Sequence, residues 1–372
     1  MSIPIRPGHP YYMYEEICAQ PTATAQLLAA DQQQRSDLAA ILASKTRLFL
    51  TGCGTALHAA LAGEYLLRWL TNGRRGIRAF QAFELTEYGP SMDSNTALIA
   101  LSHSGTATAT IRALEQGKRD GAFCLTITAF PESPAAAASD AVLLTGYPQQ
   151  QSPVYTVSYT LMVALLADLG LRVGRLATSG NWASQTASEA AASEIARLPD
   201  PLRDALASED QMKQLAQRYQ DRQRFWFLGG GPNLVTAYEA ALKMMEANYT
   251  ASTGMQIEEF IHGPISSLDD RDVAIVIAPP GPSHSRALDI LKAARIIGAE
   301  TIALAQADDQ EISDAATHLI PLPRCPEPLS ILPAIVPLQL LTYHLALARG
   351  VNPDTIHRHD ERYAAARRGY IR

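Results

Sequence analysis

Three observations predict an α/β protein made of two tandem parallel-sheet domains. The first is rhythm. Short apolar runs such as "RLFLTG" and "TALIAL" end in glycine or polar turns and lead into helical patterns, and the sequence does this repeatedly. Strands alternating with helices predict a parallel sheet covered on both faces. The second is an internal repeat. "RLFLTGCGTALHAALAGEYLL" from Arg47 and "RFWFLGGGPNLVTAYEAALKM" from Arg224 stand 177 positions apart, with Gly52 on Gly229, Gly54 on Gly231 and Leu57 on Leu234. The same spacing, read without a gap, sets "TALIALSHSG" from Thr96 on "VAIVIAPPGP" from Val273, and "DGAFCLTITA" from Asp120 on "IGAETIALAQ" from Ile297. The third is bulk: 372 residues at 47% hydrophobic content suffice for two packed cores.

The elements follow in chain order. Residues 1–40 form an N-terminal helical segment, with a helix around 11–30 that Pro21 interrupts. The first domain spans 41–175. Residues 176–214 form a linker whose alanines, glutamates and leucines favour helix, broken near Pro199 and Pro201. The second domain spans 215–348, and 349–372 form a tail. The late stretch "LSILPAIVPLQLLTYHLALA" contains Pro333, Pro337, Gln339 and His344, so it reads as a buried helix rather than a membrane span.

Composition narrows the function. The net charge is −6, and the basic residues cluster only in the tail "RYAAARRGYIR", so neither nucleic acid nor a membrane is an expected partner. The four cysteines lie far apart with no CxxC pair, which suggests neither a zinc site nor a disulfide framework. The start "MSIPIRPGHPYYMYEE" lacks the apolar core of a signal peptide, so a reducing, cytoplasmic setting is expected. No His/Asp/Glu cluster has metal spacing, and no cofactor is expected. "TGCGTA" is not GxGxxG and has no acidic residue at the right distance, which argues against a nicotinamide dehydrogenase.

One turn carries chemistry. In an open α/β sheet, ligands bind beyond the carboxyl ends of the strands, and a helix N-terminus there attracts anions. After the run "TALIAL" come Ser102, His103, Ser104, Gly105 and Thr106, then a helical pattern. Hydroxyls of Ser102, Ser104 and Thr106, with main-chain N–H groups freed by Gly105, suit a phosphate where no lysine is near. Cys53, Gly54 and Thr55 line the facing side. The second copy reads "APPGPSHS" at this turn, and Pro279 and Pro280 have no N–H to offer. The phosphate therefore belongs to the first copy.

"GCGTA", "SHSGT", "ALKMMEANY" with "EEFIHGPI", and "YEEICAQP" together resemble the paired sugar-isomerase (SIS) domain family. The pattern is similar to the isomerase half of glucosamine-6-phosphate synthase, to amino-sugar-phosphate deaminases and to fructosamine-6-phosphate deglycases. The resemblance implies a flavodoxin-like sheet in each copy and a homodimer with active sites near the subunit interface. It implies a 6-phosphosugar held at Ser102, His103, Ser104 and Thr106. The synthase pattern there is Ser-Gln-Ser-Gly-Glu-Thr; His103, Thr106 and Ala107 depart from it, and the Ser-His-Ser-Gly of deglycases fits better. Ala56 stands where the synthase has a ligand-touching serine.

Moving a carbonyl between C1 and C2 needs ring opening and proton transfer through an enediol. The resemblance implies Glu246 as the base and His262 as the ring-opening residue, often lent by a partner subunit. Lys243, one helical turn before Glu246, shares its face and would steer the enolate oxygen. In the synthase a lysine follows an Asn-Pro-Asp-like stretch. Here "NPDTIHRHDERY" places Glu361 near that position and no lysine follows, which counts against a Schiff-base route; His357, His359 and Tyr363 are the tail's candidates. No glutaminase region is expected. The expected activity is isomerisation, deamination or deglycation of a ketose or aldose 6-phosphate. The alternative is a non-catalytic sugar-phosphate-binding regulatory protein.

Overall fold

The structure is a computed structural model that describes residues 4–73, 75–177 and 185–370. The chain divides into two compact units: Gln20–Gln149 with Val157–Asp200, and Met1–Ala19 with Gln150–Thr156 and Pro201–Arg372.

The first unit holds a five-stranded parallel sheet: β1 (Arg47–Gly52), β2 (Gly76–Gln81), β3 (Thr96–Leu101), β4 (Phe123–Thr128) and β5 (Ala141–Leu144), in the order β2-β1-β3-β4-β5. β3 is buried at every position, as a central strand covered on both faces must be. The chain moves one way from β1 to β2 and the other way from β3 to β4. Right-handed crossovers therefore put the Thr55–Leu70 and Thr108–Arg119 helices on opposite faces. On one face Phe49, Leu85, Leu98, Ala113 and Leu114 form a core. The apolar Val157–Ala177 helix packs against Thr55–Leu70.

The second unit repeats this design with β6 (Arg224–Gly229), β7 (Ser252–Gln256), β8 (Asp272–Ile277), β9 (Glu300–Ala305) and β10 (His318–Pro321), in the order β10-β9-β8-β6-β7. β6, β9 and β10 begin and end 177 positions after β1, β4 and β5. The central pair departs from the gapless reading. Arg47 pairs with Thr96, but Arg224 pairs with Asp272, so β3 and β8 are offset by 176. The second copy is one residue shorter ahead of β8 and recovers it before β9, where the helix His284–Ile297 has 14 residues against 12 and the turn after it is one residue shorter. Slipping a strand by one residue exchanges its two faces, and the sheet selects the register. Beyond Thr96 and Asp272 both strands are apolar runs, which give a sequence comparison little with which to see the slip. The corrected register sets Gly281 on Gly105.

Pro21 does not interrupt its helix, which runs unbroken over Tyr12–Ala29. Ile17, Pro21, Thr24 and Leu27 are all buried at helical spacing, and this burial offsets a mid-helix proline cost of about 3 kcal/mol. The linker is helical over Gln185–Ala196, Pro199–Leu206 and Glu209–Arg218, with the break ahead of Pro199 as expected; its residues 178–184 lie outside the described residues. Two helical stretches, Val157–Leu176 and Glu327–Ala348, are long and apolar enough to cross a membrane, but 94% and 89% of their apolar windows are buried within the fold. They are core helices.

Candidate functional site

The order β2-β1-β3 places the loops after β1 and β3 at the point where the first sheet reverses direction, the usual ligand crevice of such sheets. After β3, the chain turns tightly. Ser102 N–H bonds the Ile127 carbonyl at 3.0 Å, and Gly105 N–H bonds the Ser102 carbonyl at 3.1 Å. Gly105 takes a positive φ of 66°, and a Cβ there would fall 2.0 Å from the Ser133 hydroxyl oxygen. Only glycine fits this loop. The Ser104 and Thr106 hydroxyls meet at 2.7 Å, half-buried and exposed respectively, just ahead of a helix that starts at Thr108.

Ser102 and His103 are buried. The His103 carbonyl accepts from Ala129 N–H and the Thr128 hydroxyl, both at 3.0 Å, and its ring meets Phe130 edge-on. Burial pushes the His103 imidazole down to about 4, so it is neutral at pH 7 and adds no positive charge to the turn. After β1, Gly54 has a φ of 57° with open space around it. Thr55 starts the following helix. The Cys53 thiol is half-buried, 3.8 Å from the Gln81 amide and 3.9 Å from the Thr110 hydroxyl.

The corresponding cradle of the second copy is filled. A Cβ on Gly281, the counterpart of Gly105, would lie 2.4–2.6 Å from the carboxyl group of Glu327. A Cβ on Gly231, the counterpart of Gly54, would lie 3.7 Å from the same carboxyl group.

The second unit carries the predicted proton-transfer residues on the Asn233–Asn248 helix. Lys243 Nζ lies 2.7 Å from Glu246 Oε2 and 3.2 Å from Glu239 Oε1. The Lys243 and Glu239 side chains are fully buried, whereas Glu246 keeps 31% exposure. Burial alone would push the Lys243 ammonium down, but the two carboxylates outweigh it and hold its pKa above the ordinary lysine range. Lys243 is therefore a fixed cation. Glu239 was missed in the sequence, although its place one turn before Lys243 on the same helix was the available signal.

Tyr155 was also missed, since nothing in "PVYTV" marks it. Burial raises its phenol, which also feels the charges of Arg358, Lys243, Glu246 and Glu16. His262 caps the short Ile257–Ile261 helix with its ring 71% exposed, 3.3 Å from Glu258 Oε1. None of its recorded partners belongs to the Lys243 group. In the tail, the His357 ring stacks between Tyr249 at 3.5 Å and Tyr363 at 4.3 Å. His359 is exposed.

These features define a class: doubly wound α/β repeats, one with an open hydroxyl-lined switch point and the other bearing a buried lysine between carboxylates. The SIS domain profile matches residues 41–169 and 219–349, and the chain belongs to the SIS domain family. It is 32% identical over 93% of its length to a glutamine–fructose-6-phosphate aminotransferase (isomerizing) of Pyrococcus horikoshii, and 31% identical to that of Thermus thermophilus. It spans 56% and 58% of those proteins. Its fold matches the C-terminal domain of the Francisella tularensis aminotransferase with a TM-score of 0.84 at 21% identity, covering 93% of this chain and 98% of that one. Tagatose-6-phosphate ketose/aldose isomerase of Escherichia coli has the same fold, with a TM-score of 0.79 at 22% identity over 96% and 98% of the two chains.

Proposed function

We propose that this chain is an enzyme that isomerises, deaminates or deglycates a ketose or aldose 6-phosphate. Ser102, Ser104 and Thr106, with the main-chain N–H groups of their turn, anchor the phosphate; Cys53, Gly54 and Thr55 line the same pocket. Glu246 moves the proton between C1 and C2, as its partial exposure beside a buried cation allows. Lys243 balances the negative oxygen of the enediolate. A lysine kept charged by two carboxylates is a poor imine-forming nucleophile, which favours direct enolisation over a Schiff base. His262 serves ring opening in a homodimer, where an exposed histidine can enter a partner's site.

The observation that carries this reading is the Glu239–Lys243–Glu246 set. Burying a lysine between two acids is costly to build and fits a charge that develops in a transition state. The test is a panel of 6-phosphosugars with and without amines at C1 or C2, assayed for aldose–ketose exchange and ammonia release. Glu246→Gln should lower turnover by about 10²–10⁴-fold while phosphosugar binding persists. No turnover on any member, with binding intact, would instead favour a sugar-phosphate-binding regulatory protein.

A further inference from the structure

The edge of the first sheet carries a feature that the phosphosugar reading does not use. β2 is the outermost strand, and its register sets Gly76 opposite Arg47, Arg78 opposite Phe49, and Phe80 opposite Thr51. Alternation along parallel strands puts Arg47, Phe49, Arg78 and Phe80 on one face. There the Arg47 guanidinium lies 5.5 Å over the Phe49 ring, and that of Arg78 lies 5.3 Å over Phe80. Arg68 reaches the strand edge and donates to the Ile77 carbonyl at 2.9 Å. Arg75 donates to the carbonyls of Lys45 and Ala43. With Tyr88, which is 77% exposed, these residues enclose a groove of about 610 Å³.

Four arginines line this groove, with Glu84 as its one lining carboxylate among the described residues. Asp93 pairs with Arg47 at 2.9 Å and Glu64 with Arg68 at 2.7 Å. Among the described residues, no carboxylate pairs with Arg75 or Arg78. Burial pushes the Arg75 guanidinium below its ordinary value with no acid to offset it. The second unit offers a control. A groove of about 650 Å³ there is lined by Arg218, Arg222, Arg224 and Arg271, and Arg224 is the counterpart of Arg47. Three of its four arginines are matched by acids: Arg218 with Glu300 at 3.1 Å, Arg224 with Asp272 at 2.5 Å and Asp269 at 2.8 Å, and Arg271 with Asp269 at 2.5 Å; Arg222 donates to the Asp270 carbonyl at 2.6 Å. The first-unit groove thus holds two arginines without an acid, Arg75 and Arg78, against one, Arg222, in the second-unit groove, and Arg78 is the exposed one whose guanidinium is left to a ligand.

We propose that the first-unit groove binds a nucleoside polyphosphate. Its phosphates lie on Arg75, Arg78 and Arg68, and its base lies against Phe80 and Tyr88. Guanidinium forks recognise phosphate oxygens, and exposed aromatic faces stack flat rings but give a sugar little purchase. The groove runs along one face of β1 and β2, from Arg47 and Gly76 at their amino ends to Phe80 near the carboxyl end of β2. The hydroxyl turn follows the carboxyl end of β3, so within this unit a strand length of roughly 16 Å separates that turn from the amino-end arginines Arg47 and Arg75. A nucleotide here is a second ligand rather than a competitor for the turn.

The experiment is calorimetric titration of the full-length protein with ADP, pyrophosphate and adenosine. ADP should bind more tightly than either fragment, and its affinity should fall with salt. Arg78→Ala, at an exposed position whose recorded contact is with Phe80, should weaken ADP by about tenfold or more, as loss of a charge-assisted phosphate contact does. Arg75→Ala should do the same if it folds; Arg78→Glu serves where it does not. Arg224→Ala, in the matched groove, should leave ADP binding unchanged. Ser104→Ala should weaken phosphosugars and spare ADP, which separates this site from the proposed active site. Absence of ADP binding at millimolar concentration, equal binding by Arg78→Ala and Arg78→Glu, equal affinity for pyrophosphate, or loss of ADP with Ser104→Ala would each overturn the proposal.

Discussion

The carboxyl group of Glu327 occupies the space in front of Gly281 that a Cβ would need, only 2.4 Å from the carboxyl carbon. In the first copy the equivalent glycine, Gly105, closes its turn against a serine hydroxyl and leaves the hydroxyl pair of Ser104 and Thr106 facing outward. The second copy thus places its own carboxylate at the position equivalent to the turn proposed to hold the phosphate in the first. Pro279, Pro280 and Pro282 remove N–H donors around it, and burial raises the Glu327 carboxyl above its ordinary value.

Gly281→Ala should therefore destabilise the protein by about 1–3 kcal/mol, through overpacking against Glu327 rather than backbone strain. Urea unfolding measures this. Adding Glu327→Ala should recover most of the loss, and the double variant should still bind one phosphosugar per chain, because the prolines have no donors to restore. Independent, additive effects of the two changes would show that the contact is not the cause.

The Lys243 cluster makes a second stability prediction. Lys243→Met leaves the fully buried Glu239 without its cation, at a cost of about 3–5 kcal/mol. Glu239→Gln in the same background removes the stranded charge and should return much of that stability. If Lys243→Met unfolds at the parent urea midpoint, the cluster does not hold the helix as described.

The repeat, the strand–helix alternation and the hydroxyl turn were legible because they are local: "TALIAL" followed by "SHSGT" states strand, turn and helix start in one run. What the sequence hid was tertiary. The one-residue slip between β3 and β8 depends on the pairing of Arg224 with Asp272, and after their first residues both strands are apolar runs buried at every position. Pro21 looked like a break because its cost is local while the burial that offsets it is not. The sequence does carry a short basic run, "RRGIR" over 74–78, but the groove gathers Arg75 and Arg78 with Arg47 from another strand and Arg68 from a helix, and that grouping is tertiary. Tyr155 gains meaning only from what it faces, whereas Glu239, four residues before Lys243 on one helix, was a local signal.

The tail makes a third prediction. A C-terminal segment free of contacts would fray, but His357 sits between the rings of Tyr249 and Tyr363, and its N–H bonds the Tyr249 hydroxyl at 3.0 Å. Tyr249 and His357 both adopt left-handed backbone, at φ of 60° and 55°, which the stack must hold in place. His357→Ala should speed trypsin cleavage at Arg358 and Arg362 by about tenfold, since cleavage follows local opening. His357→Phe keeps a stacking ring and should restore resistance. Equal cleavage in all three proteins would exclude the latch.

Glu16 sets the pH dependence. Its Oε1 accepts main-chain N–H bonds from Gln151 at 2.6 Å and Ser152 at 2.8 Å, while Oε2 is buried without a partner. Burial is the largest influence; the two N–H bonds oppose it and the charges of Asp354 and Glu15 add to it, and the carboxyl is pushed up to about 8. The folded protein thus holds a proton that the unfolded chain releases near 4.5. Stability from this group is full below 4.5 and is lost as pH rises through about 8, for a total on the order of 4 kcal/mol. His103, shifted downward by burial, acts with the opposite sign and only below about 6.5, so the window from 6.5 to 9 isolates Glu16. Thermal unfolding across that window should show the parent losing stability with rising pH. Glu16→Gln keeps the Oε1 acceptor but cannot ionise, and its unfolding temperature should stay level over the same range. A variant that declines in parallel with the parent would assign the slope to another group.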